Sequence, residues 1–239
     1  MKTLYLLAFS LFVIICNAEA KPKYGESAEL LRYSHEYLRE NAAADYWALS
    51  PYYIGTPGEC ACSTSITMIV NAARNPLKLT SDDKLVTAKA LLEEVKTSIN
   101  WKARIDSGKG VSLHELPIVL GDTLKHFKVA GAKLEVVQIQ DLSDATLEKV
   151  RKDLLENEKT DKNFIVANFN QGAFTGDADA GHLSPVGAYD QKRGKVLIFD
   201  TDREWYEPYW VSEQTFIRGM ATLDQKSGKF RGYVKVLLK

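Results

Sequence analysis

The sequence predicts an α+β fold in which helices come first along the chain and strands come second. Before residue 162, apolar residues recur at helical spacing, as at Ile66, Ile69 and Val70. After residue 162, short apolar runs separated by turn residues predict strands, beginning with 164–169. Segregation of this kind is typical of α+β proteins and not of a doubly wound sheet. We therefore expect a helical lobe over about residues 21–160, followed by an antiparallel sheet lobe over about residues 161–239.

The helices of the first part are predicted from apolar spacing and capping residues. Ser27 predicts a cap for a helix that carries Leu30 and Leu38. A helix over residues 62–74 begins beside two cysteines and ends at an Asn-Pro pair. The run 80–83 resembles a capping box for the next helix. Two more helices are predicted after Ser112 and over residues 144–156, with a short strand at 134–139 between them.

The second part is predicted to be built around a β-hairpin. The turn 191–194 joins two apolar runs, 182–189 and 195–200, which alternate with turn residues in the manner of paired strands. A short helix near 213–219 and a last strand over 231–238 complete the pattern. The hairpin carries a histidine at one end and an aspartate at the other.

The first 20 residues predict a cleaved secretory signal. Lys2 precedes an apolar run over 4–16, and Ala18 and Ala20 form a small-residue exit. That run is too short to span a bilayer comfortably. We expect an exported protein, periplasmic or secreted, whose mature chain begins at residue 21 and holds no membrane anchor. The catalytic domain is predicted to occupy all of residues 21–239.

Composition excludes one large class of partners. The chain has 31 basic and 31 acidic residues, so its formal net charge is zero. A protein without a basic field has no electrostatic attraction for nucleic acid or for anionic lipid.

No cluster of His, Cys, Asp and Glu has the spacing of a dedicated metal site, so we expect no resident metal.

Three residue types point to nucleophilic chemistry. Removal of the signal leaves Cys60 and Cys62, both at the predicted start of a helix, where the dipole lowers a thiol pKa. His182 precedes one apolar strand, and Asp200 ends the next. A cysteine, a histidine and an aspartate are the nucleophile, the base and the group that orients the base. A Cys60–Cys62 bridge is the alternative, although partners two residues apart are poorly placed for one. We expect free thiols.

The motifs around these residues resemble those of the phytochelatin synthase family. Gly-His-x-Ser-Pro-x-Gly-x-Tyr is present at 181–189, Asp-x-x-Arg at 200–203 and Trp-Val at 210–211. His182 and Asp200 are also separated as in that family. The resemblance implies a papain-like cysteine peptidase fold that acts on glutathione. It further implies that Arg203 and Gly181 contribute to substrate binding.

The resemblance leaves the nucleophile open between two cysteines. The run Ala61-Cys62-Ser63 fits the family pattern better with Cys62, which we prefer, whereas the spacing from Pro57 fits Cys60. The other cysteine would then be a resolving thiol. Two positions depart from the family. Where it places an oxyanion-hole glutamine, this chain has Thr56 if the count starts from Cys62 and Ile54 if it starts from Cys60, and Gln171 stands where the family commonly has arginine.

The implied reaction is cleavage of the Cys-Gly bond of glutathione through a γ-glutamylcysteinyl thioester, with release of glycine. Water then gives γ-glutamylcysteine, and a second glutathione gives a phytochelatin. No cysteine follows Cys62, so the cysteine-rich region linked to metal activation has no counterpart here and we expect hydrolysis to dominate. No cofactor is required, and a heavy metal would enter only as a thiolate of the substrate. A homodimer is compatible with the sequence.

Two other functions remain open. One is a papain-like peptidase or amidase acting on another γ-glutamyl peptide or a cell-wall peptide, favoured by the departures at Thr56 and Gln171. The other is a catalytically silent binding protein of the same fold.

Overall fold

The structure is a computed structural model that describes residues 23–54, 60–108, 110–176 and 179–239. The predicted signal segment lies outside these ranges, so its cleavage and the export of the protein remain predictions. None of the helices within these ranges is long and apolar enough to cross a membrane.

One antiparallel sheet organises the described part of the chain. Its strands run in the order β1-β6-β5-β4-β3-β9-β2, and every neighbouring pair is antiparallel. A separate two-stranded ribbon joins β7 to β8. The strands are β1 (Ala28–Leu30), β2 (Lys133–Gln138), β3 (Asn163–Asn170), β4 (Gly181–Asp190), β5 (Lys195–Ile198), β6 (Tyr209–Ser212), β7 (Leu223–Asp224), β8 (Lys229–Phe230) and β9 (Gly232–Leu237).

Helices cover both faces of this sheet. They are α1 (Glu36–Glu40), α2 (Ala44–Leu49), α3 (Ala61–Ala73), α4 (Ala88–Glu94), α5 (Trp101–Asp106), α6 (Leu116–His126), α7 (Asp144–Glu158), α8 (Gln171–Thr175) and α9 (Glu213–Met220). Helices α3 and α6 pack on one face, and α7, α8 and α9 pack on the other.

Strand β3 shows why the run 164–169 is apolar at every position except Asn168, whose amide donates to the His182 carbonyl. Phe164 and Val166 face the core that contains α3, whereas Ile165 and Phe169 face the core that contains α7 and α9. Successive side chains of a strand point to opposite faces, so a strand covered on both sides must be apolar on both faces. The predicted buried strand is confirmed, and so is the α+β class.

The strands and helices near the site agree with the sequence predictions. Helix α3 begins one residue before the predicted position, and the hairpin of β4 and β5 turns at the predicted residues 191–194. Strands β1 and β2 come from the part predicted as the helical lobe and join the same sheet as the later strands.

Two local predictions are wrong. Residues 28–30 form an edge strand on β6 and not the start of a helix, because pairing with residues 209–211 satisfies their backbone groups. The Thr80–Asp83 pair closes its own turn, with the Asp83 carboxylate accepting from the Thr80 amide and hydroxyl. The cap of α4 is Thr87, whose hydroxyl accepts from the Ala90 amide.

A half-buried carboxyl on α7 predicts pH-dependent stability. Burial raises the pKa of Glu158 from 4.5 to about 7, although the Tyr189 amide and the Tyr37 hydroxyl donate to the carboxylate. The folded state therefore holds this proton more tightly than the unfolded chain. The associated stability is complete below pH 4.5 and is lost as the pH rises through about 7.

We expect Glu158→Gln to reduce the fall in the free energy of unfolding between pH 5 and pH 8 by about 1 to 3 kcal/mol. Urea unfolding at the two pH values measures this fall. Glu148→Gln, which changes an exposed carboxylate on the same helix, is the matched control and should leave the fall as in the wild type. An equal fall in the Glu158 variant would contradict the assignment.

Candidate active site

A cysteine that is not itself helical directly precedes helix α3. Cys60 is the N-cap residue, with an extended backbone, and its carbonyl accepts from the Ser63 amide at 2.9 Å and the Ser63 hydroxyl at 2.7 Å. Cys62 is the second residue of the helix and is buried, with 3% of its surface exposed. The amides of a first helical turn have no intrahelical acceptor, so this end of α3 favours negative charge.

Hydrogen bonds attach this helix start to the β4–β5 hairpin. The Ser65 hydroxyl donates to the Leu183 carbonyl at 2.8 Å, and the Thr201 hydroxyl donates to the Ala61 carbonyl at 2.9 Å. Ala61, Leu183 and Thr201 are the chain neighbours of the predicted nucleophile, base and orienting carboxylate. The structure therefore brings together the three segments that the sequence singled out.

His182 and Asp200 are in direct contact. His182 lies near the start of β4, Asp200 follows β5, and the imidazole Nε2 is 2.8 Å from the Asp200 Oδ1. The imidazole is nearly buried, and the carboxylate is completely buried. Because Nε2 is committed to Asp200, Nδ1 is the ring nitrogen that remains for a thiol.

The Asp200 carboxylate accepts three further hydrogen bonds. The Tyr209 hydroxyl donates to Oδ2 at 2.8 Å, the Gln171 amide donates to Oδ2 at 3.1 Å, and the Asp202 backbone amide donates to Oδ1 at 3.1 Å. A buried carboxylate is stable only when donors replace the water that it has lost. Burial alone would raise the pKa of Asp200, but the His182 charge and the hydrogen bonds from His182, Tyr209 and the Asp202 amide hold it below its ordinary value.

The same contact favours the charged form of the imidazole. Burial alone would lower the pKa of His182, but the Asp200 charge and the hydrogen bond between them raise it above its ordinary value. The negative charge of Asp202 acts in the same direction and more weakly. An imidazolium near a thiol stabilises the thiolate, so this pair suits an activated cysteine.

A glycine allows the aspartate segment to approach β4. Gly187 is the extra residue of a β-bulge opposite β5, and a Cβ added there would lie 2.6 Å from the Phe199 ring. The Phe199 amide donates to the Pro185 carbonyl at 3.0 Å. The small residue at 187 therefore sets the position of Phe199 and of the adjacent Asp200.

Gln171 and Tyr209 acquire a role that sequence reasoning did not assign. In the sequence, Gln171 is only a departure from the family pattern. The one signal at Tyr209 is that it stands directly before the Trp-Val motif. Both side chains are buried, and both reach the Asp200 oxygen that faces away from His182.

Arg203 is placed beside Tyr53. Its guanidinium donates to the Tyr53 hydroxyl at 3.0 Å and to the Tyr206 carbonyl at 3.0 Å. The Tyr53 hydroxyl in turn donates to the backbone carbonyl of Asp200 at 2.6 Å. The exposed Arg203 thus lies close to the aspartate segment, and its role in substrate binding remains a prediction.

Gly181 adjoins a buried arginine that sequence reasoning missed. A Cβ added to Gly181 would lie 2.8 Å from the Arg231 Nη2. Arg231 is only 6% exposed, and its Nη1 donates to the Leu223 carbonyl at 2.6 Å. Its Nη2 lies 3.8 Å from the Asp224 carboxylate, and its Nε has no partner among the described residues.

This guanidinium has the properties of an anion-binding group. Burial lowers the pKa of Arg231, and the charges of Asp224 and Asp179 oppose that effect only in part. A buried N–H without an acceptor costs free energy unless a ligand supplies one. No sequence pattern near 231 revealed this, because the contact with Gly181 joins distant parts of the chain.

The two cysteines are paired in the structure. Cys60 and Cys62 form a disulfide, with their Cα atoms 5.3 Å apart. The expectation of free thiols therefore differs from the structure, because the extended backbone at the N-cap brings the two side chains together. Cys60 remains partly exposed, whereas Cys62 packs in the core with α3. The choice of nucleophile between them remains a prediction.

The other predicted site features lie elsewhere. Thr56, the predicted oxyanion position, lies outside the described residues. Two other histidines carry no site prediction: His114 contacts Gln138, and His126 lies 3.6 Å from Glu94. In the described ranges, no three His, Cys, Asp or Glu side chains are grouped so that they could hold a metal ion.

The fold and site define an α+β protein in which a cysteine-bearing helix start meets a buried His–Asp pair on an antiparallel sheet. The family model described as phytochelatin synthase matches residues 23–233. The match covers nearly the whole described chain, and the protein belongs to the phytochelatin synthase family.

Several curated relatives are similar over part of the chain. Glutathione gamma-glutamylcysteinyltransferase 1 of Arabidopsis thaliana is 30% identical over 107 residues, which are 45% of this chain and 21% of the relative. The Schizosaccharomyces pombe glutathione gamma-glutamylcysteinyltransferase is 31% identical over 93 residues, which are 39% and 22% of the two chains. Glutathione gamma-glutamylcysteinyltransferase 3 of Lotus japonicus is 39% identical over 75 residues, which are 31% of this chain and 15% of the relative. The matched region spans about a fifth of each relative or less.

The His–Asp contact predicts a measurable change in titration. Asp200→Asn should move the pKa of His182 from above to below its ordinary value, because the burial persists and the compensating charge is gone. NMR titration of the His182 ring in the oxidised protein, where Cys62 bears no thiol, measures the change. Asp202→Asn is the matched control and should lower the pKa much less; equal effects of the two variants would contradict the dominant role of Asp200.

Proposed function

We propose that the protein is a papain-like thiol enzyme that cleaves the Cys-Gly bond of glutathione through a γ-glutamylcysteinyl thioester. The observation that carries the proposal is the buried His182–Asp200 contact, attached to the start of α3 beside Cys62. Membership of the phytochelatin synthase family and the names of the relatives support glutathione as the substrate.

Acylation uses the groups at the helix start. The Cys62 thiolate attacks the carbonyl carbon of the Cys-Gly bond, and His182 gives the proton on Nδ1 to the departing glycine amine. Asp200 holds Nε2, so the ring keeps one orientation while its charge changes. The Cys62 backbone amide, at the open end of α3, is a suitable donor to the oxyanion.

Deacylation reverses the proton transfer. Neutral His182 takes a proton from the attacking group, which then displaces the Cys62 sulfur from the acyl carbon. Water as the attacking group gives γ-glutamylcysteine, and the amine of a second glutathione gives a longer peptide. Product analysis after complete conversion distinguishes these two fates.

Two arginines suit the two carboxylates of glutathione. Arg231, whose Nε has no partner among the described residues, and the nearby Asp224 match a carboxylate and an ammonium carried by the same carbon, as in the γ-glutamyl end. Arg203 lies beside Tyr53, whose hydroxyl donates to the Asp200 carbonyl, and would take the glycine carboxylate. The lack of a side chain at Gly181 lets the Arg231 guanidinium lie against the start of β4, next to His182.

A second candidate is a peptidase or amidase for another γ-glutamyl peptide or a cell-wall peptide. Gln171 favours it, because a neutral amide on Asp200 leaves one positive charge fewer near the substrate than an arginine would. Parallel assays with glutathione, other γ-glutamyl peptides and muropeptides separate the two activities. A silent binding protein would form no thioester with any of them.

Mass spectrometry of the acyl-enzyme tests the proposal most directly. We expect the fully reduced protein mixed with glutathione to gain a γ-glutamylcysteinyl group on Cys62, because the thiolate there is stabilised by the helix and by His182. Cys62→Ser should remove both the adduct and glycine release. An adduct that persists in Cys62→Ser and disappears in Cys60→Ser would transfer the nucleophile to Cys60.

Loss of Arg231 should affect catalysis differently from loss of the base. Arg231→Ala should lower kcat/KM for glutathione about 10- to 100-fold through KM, the range expected for a lost charge-assisted hydrogen bond. His182→Ala should instead abolish kcat. Arg218→Ala, which changes an exposed arginine on α9, is the control. An unchanged KM in Arg231→Ala would show that this guanidinium does not contact the substrate.

A further inference from the structure

The disulfide between Cys60 and Cys62 blocks the proposed nucleophile, because a sulfur bonded to sulfur is not a thiolate. We propose that Cys60 is a thiol-exchange site, at which a small external thiol attacks the disulfide and frees Cys62 to act. The proposal rests on the proposed function for the chemistry that Cys62 then performs. It adds a second covalent reaction, at a second residue, that precedes peptide cleavage.

Access selects the sulfur that is attacked. Exchange requires a thiolate to approach one sulfur of the bridge directly, so the more accessible sulfur reacts. Cys60 is partly exposed at the N-cap, whereas Cys62 is 3% exposed and packs in the core with Ile66 and Ile69. An external thiol therefore reaches Cys60 and leaves Cys62 as the departing sulfur.

The surroundings also favour Cys62 as the leaving group. A sulfur leaves faster when its thiolate is more stable. Cys62 lies in the first turn of α3, where the amides favour negative charge, and that turn is attached to the segments that carry His182 and Asp200. Steric access and charge therefore select the same direction of exchange, which releases the residue needed for catalysis.

The bridge is not needed to hold the helix start in place. It joins cysteines only two positions apart, so it restrains the unfolded chain far less than a bridge across a long loop would. The Ser65–Leu183 and Thr201–Ala61 hydrogen bonds connect α3 to the hairpin independently of the two sulfurs. The reduced protein therefore keeps the assembled site, which a switch requires.

The exchange balances with a thiol as the only co-reactant. A first thiolate attacks the Cys60 sulfur, forms a mixed disulfide there, breaks the Cys60–Cys62 bond and leaves Cys62 as thiolate. A second thiolate attacks the external sulfur of the mixed disulfide and leaves Cys60, which takes up a proton. The protein disulfide is reduced, and two thiols are oxidised to one external disulfide. Glutathione has the required thiol, so the proposed substrate itself reduces the disulfide and activates the enzyme.

A substrate that lacks a free thiol tests the proposal. S-methylglutathione keeps the Cys-Gly bond but does not reduce a disulfide. The oxidised wild type should release glycine from S-methylglutathione at least about 100-fold more slowly than the same protein reduced with a phosphine, because only the thiolate attacks. With glutathione the oxidised protein should release glycine after a lag, during which oxidised glutathione forms. Equal rates before and after phosphine treatment would overturn the proposal.

The matched variant is Cys60→Ser, in which no bridge forms and serine remains a good N-cap residue. It should cleave S-methylglutathione without phosphine and without a lag, and Cys60→Ala repeats the test without the hydroxyl. A continued requirement for phosphine in both variants would contradict the role of Cys60. If the reduced wild type releases no glycine from either peptide, the proposed function fails, and the exchange is judged separately by labelling.

Labelling follows the exchange without reference to peptide cleavage. The oxidised protein is mixed briefly with glutathione, quenched with iodoacetamide and mapped by mass spectrometry. Glutathione on Cys60 together with an alkylated Cys62 is the expected pattern. Glutathione on Cys62 together with an alkylated Cys60 would reverse the assignment.

Discussion

Asp200 carries a negative charge where water does not reach, so the protein supplies the hydrogen bonds that solvent would otherwise provide. His182, Tyr209, Gln171 and the Asp202 amide all point to this carboxylate. Breaking a buried charged contact of this kind costs several kcal/mol, because the remaining charge stays desolvated. The donors come from β4, β6, α8 and the segment after β5, so one carboxylate links elements that are distant in the chain.

The same carboxylate determines which ring nitrogen of His182 is left free. Because it holds Nε2 of the imidazole, Nδ1 is left for the proposed nucleophile, and the raised pKa of His182 favours the imidazolium. Gly187 lies in a β-bulge and lets the ring of Phe199, the residue before Asp200, approach β4. Thr201, the residue after Asp200, donates a hydrogen bond to the Ala61 carbonyl. The helix start, the base and its orienting group are thus parts of one connected arrangement.

The substrate and redox proposals depend on groups at the edge of this arrangement. Arg231 is buried beside Gly181, and within the described part of the chain one of its N–H groups has no partner, which is a costly state for a free protein and a useful one for a protein that binds an anion. Cys60 stands outside α3 while Cys62 stands inside it. Cys60 is partly exposed and Cys62 is buried, so the two proposed reactions use two residues of one short segment with different access to solvent.

The sequence by itself determined the α+β class, helix α3, the β4–β5 hairpin and the spacing of His182 and Asp200, because these depend on local periodicity and turn chemistry. It did not determine that residues 28–30 form an edge strand, since that requires pairing with residues 209–211. Only the tertiary structure placed Tyr209 and Gln171 on Asp200 and Arg231 beside Gly181. Such contacts join residues far apart in the chain, and their free energy arises from burial and charge that no local pattern records.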